Sequence, residues 1–149
     1  MEDRQAQHSE YRISTDASEV DVDVVHHFLS TQSGWATGIS RELVEESLRH
    51  SLCFSVFQQD RMVGFCRLVT DMTTFGYLVD VFVVPDMRGK GISRLLMDAV
   101  MAHPAVKKFR RFTLATSTAH GLYEKFGFTP LSKPESFMEV YRPKIYLEG

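Results

Sequence analysis

The stretch that decides the fold is VDVFVVPDMRGKGISRLLMDAV, residues 79–100. Its first six residues are apolar apart from Asp80, which is typical of a buried strand. From Ile92 onward the apolar residues recur every three or four positions, which predicts an amphipathic helix. A proline and two glycines separate the two patterns. The sequence therefore predicts a strand that turns directly into a helix through a glycine-bearing loop.

Such a junction is suited to binding phosphate. The first turn of a helix presents unpaired backbone N–H groups together with the positive end of the helix dipole. Gly89 and Gly91 let a ligand approach the backbone closely, and Arg88 and Lys90 add positive charge. An ordinary surface turn with two solvated cations is the alternative interpretation of the same residues.

Two familiar phosphate loops do not fit this junction. A Walker loop needs Ser or Thr directly after its lysine, but Gly91 follows Lys90. A dinucleotide-binding fingerprint needs a third glycine at position 94, which is Arg94.

Length and composition indicate one globular domain, residues 1–149, in which we expect residues 1–9 to be a flexible tail. The net charge of -2 argues against a protein that binds nucleic acid by neutralising phosphates. The polar N-terminus has no apolar core of a secretory signal, and the longest apolar run is too short to span a bilayer. We therefore expect a cytoplasmic protein without a membrane or nucleic-acid partner.

Hydrophobic periodicity predicts the order β-α-α-β-β-β-α-β-α-β, which is a mixed α/β sheet flanked by helices. A first helix has Asp16 or Ser18 available as its N-cap, and a second begins at Ser40 and buries Leu43 with its neighbours. The last strand is expected at SFMEVYRP, residues 136–143. Apolar positions assigned to the three helices are Val20, Val24, Phe28 and Leu29, then Val44 and Leu48, then Ile92, Leu95, Leu96, Ala99 and Val100.

The two cysteines lie on the strands of a predicted hairpin that turns at Gln59 and Asp60. With that turn, Cys53 and Cys66 face each other, which would permit a disulfide. In a reducing compartment, thiols in apolar strands more often serve as small buried side chains. Both interpretations stay open on the sequence alone.

RGKGIS, residues 88–93, resembles the acyl-CoA loop of the GNAT superfamily of N-acetyltransferases, except that Ser93 replaces the usual Gly or Ala. LYEKFGF, residues 122–128, is similar to a second motif of that family, and the predicted element order agrees over roughly residues 10–142. The resemblance implies a mainly antiparallel sheet and acetyl-CoA as co-substrate, without a metal. It also implies an acyltransferase that moves an acetyl group to a primary amine by direct attack in a ternary complex.

The resemblance assigns roles to individual residues. The pyrophosphate is expected on the loop, and the pantetheine arm along β-strand backbone and at Thr116, where the family often has Asn. Tyr123 matches the general acid, although it could also be the packed edge of its helix. The full set of expected cofactor contacts is Val81, Phe82, Val83, Arg88, Gly89, Lys90, Gly91, Ile92, Ser93 and Thr116.

The general base is the open question. Some family members carry Glu-Asp before the apolar triplet, whereas this chain has Val79 and Asp80. Asp80 is the candidate base, or else it forms an internal ion pair with Arg67 on the neighbouring strand. His120 is a candidate relay or a solvated helix residue.

The acceptor amine, expected to belong to a small molecule, is assigned to Trp35 and Asp71. The lone tryptophan would form a wall against an apolar or aromatic group, or else plug the helix pair. Asp71 would attract the cation or cap a turn. A homodimer is implied by the resemblance only. The competing function is a non-catalytic acyl-CoA-binding or sensor module, which the missing glutamate favours and Tyr123 disfavours.

Overall fold

A computed structural model describes residues 10–148 of the chain. The expected tail, residues 1–9, lies outside the described residues. The elements are β1 (Tyr11–Ser14), α1 (Val22–Thr31), α2 (Arg41–Arg49), β2 (Leu52–Gln58), β3 (Arg61–Thr70), β4 (Phe75–Val83), α3 (Ile92–Ala102), β5 (Arg111–Leu114) and α4 (His120–Glu124). Short 3-10 turns lie at Ala17–Glu19, Pro85–Met87, Val106–Lys108 and Pro134–Ser136.

The five strands form one sheet in the order β1-β2-β3-β4-β5. Neighbouring strands run antiparallel except β4 and β5, which are parallel and are joined through α3. A parallel pair needs such a crossover, and the helical period after Ile92 supplies it. The predicted fold class, a mixed and mainly antiparallel sheet flanked by helices, is confirmed.

Each face of the sheet has its own hydrophobic core. One core packs α3 against the sheet through Ile92, Leu96 and Val100, as the helical period predicted. The other packs α1 and α2 against the opposite face, around Phe28 and Val44. Strands β2 and β3 are buried on both faces over most of their length, because helices cover them from both sides.

Two helix details differ from the prediction. Asp21, not Asp16 or Ser18, caps α1 by accepting the N–H of Val24. Asp16 instead accepts the N–H of Ser18 and caps the 3-10 turn that precedes the helix. On α2 the Ser40 cap is confirmed, but Leu43 is 46% exposed because it lines a cavity rather than the core.

The cysteines are not opposite each other. The β2–β3 register shifts at Val56 and Phe57, so Cys53 faces Arg67 and Cys66 faces Phe54. A shift of one residue puts side chains on opposite faces of a sheet, and Cys53 and Cys66 accordingly belong to different cores. Both are free and buried, so the disulfide is excluded.

The last predicted strand, 136–143, does not form. The chain runs irregularly there, with Met138 95% and Val140 80% exposed. Alternating apolar residues form a stable strand only beside a partner strand, and none of the strands described pairs with this segment.

Candidate functional site

The loop between β4 and α3 has the features expected of a phosphate-binding turn. Gly89 and Gly91 both have positive φ, +80° and +84°, which side-chain-bearing residues rarely adopt. Gly91 is the N-cap of α3 and contributes no side-chain cap, and the helical bonds begin with Leu95 N–H donating to Gly91 C=O. The N–H groups of residues 92–94 therefore have no partner within the helix and are available to a ligand.

The cations of this loop are differently placed. Arg88 Nε donates to the Val83 carbonyl at 3.1 Å, which ties the loop to the end of β4. Lys90 is exposed and free to approach an anion. Asp86, just upstream, accepts two hydrogen bonds from the Arg61 guanidinium, at 2.7 and 2.9 Å. This bidentate ion pair holds the start of the loop on β3.

The edge of β4 opens next to this loop. Pairing with β5 ends at Leu78 and Leu114, whereas β4 continues to Val83 and pairs there with β3 alone. The outer backbone groups of residues 79–83 are thus not taken up by β5. An extended chain containing amides can pair with such an edge.

Asp80 lies at a bulge in β4. Phe65 pairs with Phe82 and Arg67 with Val79, so one residue of β3, Cys66, opposes two of β4, Asp80 and Val81. Asp80 takes up the extra length with φ at +55°, a conformation that Asp tolerates better than most residues. Neighbouring side chains of a regular strand point to opposite faces, but at this bulge both Val79 and Asp80 line a cavity on the α1 and α2 side of the sheet.

Both carboxylate oxygens of Asp80 accept hydrogen bonds. Oδ2 accepts Nε of Arg67 at 2.6 Å, and Oδ1 accepts Nε1 of Trp35 at 2.9 Å. The side chains of Asp80 and Arg67 are only 8% and 18% exposed. The ion pair expected as the alternative role of Asp80 is present, and it also fixes Trp35, which sequence reasoning had treated separately.

A cavity of about 510 Å³ surrounds this ion pair. Helices α1 and α2, the loop between them, and interior positions of β3 and β4 supply most of its walls, and the C-terminal segment supplies one residue. The lining side chains are Leu29, Trp35, Ala36, Ile39, Leu43, Glu46, Ser47, His50, Arg67, Val79, Asp80 and Tyr146.

Sequence reasoning missed Glu46, His50 and Tyr146. The spacing of Glu46 and His50, four residues apart at the end of α2, indicates a shared helical face and could have drawn attention to them. No local signal places Tyr146, which reaches the cavity only through the path of the C-terminal segment.

Asp71 does not line this cavity. Its carboxylate accepts the N–H groups of Thr73, Thr74 and Phe75 and the hydroxyl of Thr74. These hydrogen bonds hold the pKa of Asp71 well below its usual range. Asp71 therefore caps a turn, which was the alternative to its expected role in attracting the amine.

Tyr123 lies on α4 and lines a second cavity, of about 300 Å³, with residues of β5. Its side chain is 7% exposed, and its ring packs edge-on against Phe128 with centroids 6.0 Å apart. Burial raises the pKa of the Tyr123 phenol, so it keeps its proton at neutral pH. The residue therefore belongs to the core and borders a cavity at the same time.

Thr116 and His120 line the same cavity as Tyr123. Thr116 Oγ1 accepts the N–H groups of Thr118 and Ala119 and so shapes the turn into α4. Its hydroxyl proton remains available to a ligand.

Within residues 10–148, no group of three or more His, Cys, Asp or Glu side chains could hold a metal ion. None of the helices in that range is both long and apolar enough to cross a bilayer.

Comparison with known proteins agrees with this architecture. The family model described as "Acetyltransferase (GNAT) domain" matches residues 49–130, more than half of the chain. A crystal structure from Xanthomonas campestris pv. campestris, described as belonging to the GNAT family, is 51% identical with a TM-score of 0.89, and the match covers 91% of this chain and 96% of that one.

Two further relatives are informative. The peptidyl-lysine N-acetyltransferase YjaB of Salmonella typhimurium is 30% identical, over 76% of this chain and 73% of that protein. An acetyltransferase from Clostridium acetobutylicum, described with acetyl-CoA, has a TM-score of 0.64 at 15% identity and covers 88% of this chain and 94% of that one. The second likeness shows the fold alone.

The matched segment runs from the end of α2 to just past α4 and contains the glycine loop, the bulged strand and Tyr123. GNAT acetyltransferases use acetyl-CoA, and the free helix N-terminus beside an open strand edge fits that use. The chain therefore belongs to the GNAT family of acetyltransferases and is an acyltransferase.

Proposed function

We propose that the protein moves the acetyl group of acetyl-CoA to a primary amine of a small molecule, by direct attack in a ternary complex. The observation that carries this proposal is the position of the β4 bulge. It lies between the open strand edge, suited to an extended cofactor, and the cavity around Asp80, suited to an amine. The two reactants would therefore meet at residues 79–81.

The chain offers acetyl-CoA two kinds of contact. Backbone groups of Val81, Phe82 and Val83 on the open edge would pair with the amides of the pantetheine arm and polarise the thioester carbonyl. The pyrophosphate would bind the N–H groups of the loop from Arg88 to Ser93, with Lys90 adding charge and Thr116 a hydroxyl. When bound, acetyl-CoA supplies an activated acyl group.

We assign Asp80 to the proton of the amine. An ionised carboxylate has about four acceptor positions, so hydrogen bonds from Arg67 and Trp35 leave capacity for an ammonium donor. In this role Asp80 replaces the glutamate that some family members carry at the position of Val79. Replacing Asp80 with Asn should lower kcat by about 10²-fold or more, the range for losing a general base.

We assign Tyr123 to the proton needed by the departing thiolate. Because burial raises the pKa of its phenol, it is protonated before the reaction. The phenol would donate a hydrogen bond to the thioester sulfur and pass its proton to that sulfur as the C–S bond breaks, and it would then regain a proton from solvent.

The test is Tyr123→Phe, which removes one oxygen and keeps the ring. We expect release of free CoA from acetyl-CoA and an amine to fall about 10²-fold, with calorimetric CoA binding within twofold of wild type. Tyr141→Phe, at a 72% exposed position, is the matched control and should leave both unchanged. Wild-type protein that binds CoA but acetylates no amine would instead support a CoA sensor.

We also propose a homodimer. Large apolar side chains stay exposed after the last 3-10 turn, among them Phe137, Met138 and Val140. Phe137 lies beneath the Arg111 guanidinium, 5.2 Å from its ring, at the outer strand β5. A second chain covering this surface would bury it, and light scattering after gel filtration measures the mass directly.

The two free buried thiols suit a reducing compartment such as the cytoplasm, where we place the protein.

A further inference from the structure

We propose that the acceptor is an arylalkylamine without an anionic group, and that Tyr146 on the C-terminal segment determines this specificity together with Trp35. This inference rests on the proposed function, since it names the substrate class of the same cavity. It goes further by assigning an active-site wall to residues beyond the matched family segment, which ends at residue 130.

Trp35 is held in place although its side chain is half exposed. Its Nε1 donates to Asp80, and its ring lies 6.1 Å from that of Phe28 at a tilt of 57°. Phe28 in turn stacks on Phe82 of β4, with centroids 4.2 Å apart and planes within 12°. The indole is therefore anchored to the bulged strand, while 53% of the residue stays open to a ligand.

The C-terminal segment, residues 144–148, closes the cavity from another side. It packs on the loop between α1 and α2 at Gly38, where an added Cβ would lie 2.8 Å from Leu147 Cδ2 and 3.1 Å from the Tyr146 carbonyl oxygen. Gly38 also has φ at +85°, so the loop depends on glycine for its backbone as well. This close contact brings Tyr146, 36% exposed, into the cavity lining.

The apolar lining suits an aromatic group. Trp35, Tyr146 and Leu43 are all more than a third exposed and all border the same cavity. A flat ring that enters there would cover apolar surface on several sides and could make offset or edge-on contacts with the two aromatic side chains.

The charges of the cavity suit a cation. Arg67 and Asp80 pair with each other and leave Glu46, which makes no ion pair with any residue from 10 to 148. Among the Asp, Glu, Lys and Arg side chains of the lining, two are acidic and one is basic, so acidic charge is in excess. An ammonium group is attracted to this excess acidic charge, whereas the carboxylate of an amino acid is repelled by it.

The test uses the fluorescence of Trp35, which is the one tryptophan of the chain and therefore reports on this cavity. The probes are 2-phenylethylamine, its saturated analogue 2-cyclohexylethylamine, and phenylalanine, titrated without acetyl-CoA. We expect 2-phenylethylamine to bind about fivefold more tightly than the saturated amine, the value of one aromatic contact. Phenylalanine should bind at least about tenfold more weakly than 2-phenylethylamine because of its carboxylate.

Replacing Tyr146 with Ala should reduce the preference for the aromatic amine to less than about twofold. Gly38→Ala, which pushes the C-terminal segment away, should do the same while Tyr146 is intact. Tyr141→Ala is the matched control on the same part of the chain, since Tyr141 does not line the cavity, and it should keep the wild-type preference.

Equal binding of the two amines, or a preference that survives both Tyr146→Ala and Gly38→Ala, would overturn the inference. Because binding is measured without acetyl-CoA, the result is independent of turnover. An enzyme that acetylates polyamines or amino acids and ignores 2-phenylethylamine would refute the inference and leave the proposed function in place. Aromatic binding without acetylation of any amine would refute the proposed function, and with it the role of the aromatic amine as acceptor, and would leave only an aromatic-amine binding site.

Discussion

Replacing Arg67 with Met tests whether the ion pair at the β4 bulge holds the site together. Met keeps much of the length of the arginine stem and removes the guanidinium. Asp80, 8% exposed, would then keep only the Trp35 hydrogen bond for a buried negative charge. Removing one partner of a buried pair costs about 3–5 kcal/mol, because the remaining charge is neither solvated nor paired. For a domain of this size, that corresponds to a fall in Tm of about 10 °C.

The double variant Arg67→Met/Asp80→Asn separates this effect from the loss of packing. Asn suits the positive φ of position 80 and can still accept from Trp35, so no charge is stranded. Arg67 also donates to Ser51, but that bond is lost in both variants and cancels in their comparison. We expect the double variant to recover at least about 2 kcal/mol relative to Arg67→Met.

The assay is urea unfolding followed by circular dichroism, with the m-value checked for constancy. Arg41→Met is the matched control, because Arg41 makes its ion pair with Asp23 in an exposed position and should show no measurable loss. An Arg67→Met variant as stable as Arg41→Met, or additive effects of the two single substitutions at the bulge, would contradict this prediction.

Two other predictions concern the core. Burial raises the pKa of the Cys53 thiol to about 11 and that of Cys66 further, so both stay protonated. Native protein should therefore react slowly with a thiol reagent at pH 8, whereas denatured protein should react at once at both cysteines. Fast labelling of native protein would contradict that burial. Gly76→Ala should cost about 2 kcal/mol, because its Cβ would lie 2.4 Å from a ring carbon of Phe109, whereas Gly121→Ala, with no atom within 4 Å, should cost nothing. Thermal unfolding distinguishes the two, and equal stability of both variants would show that the ring moves aside freely.

Local patterns predicted the glycine loop and the helix after it well. The change of period at Ile92 and the positive-φ preference of glycine are properties of a few adjacent residues, so they can be read without tertiary information. Ser40 as the cap of α2 is equally local. The prediction of a last strand at 136–143 was wrong because a strand needs a partner strand. The alternation of apolar and polar residues in this segment does not show whether a partner is present.

Register was the second source of error. The prediction that Cys53 faces Cys66 assumed a regular hairpin, and one extra residue near Val56 was enough to send the two thiols to opposite cores. A bulge changes which side chains meet without leaving a clear mark in composition.

The sequence alone determined the fold class, the family resemblance and the glycine-bearing junction between β4 and α3, because each depends on residues close together in the chain. Only the tertiary structure decided what surrounds Asp80. Its ion pair with Arg67, its hydrogen bond to Trp35 and the presence of Tyr146 join four distant parts of the chain. Such contacts follow from strand register and from the path of the C-terminal segment, which depend on the packing of the whole domain.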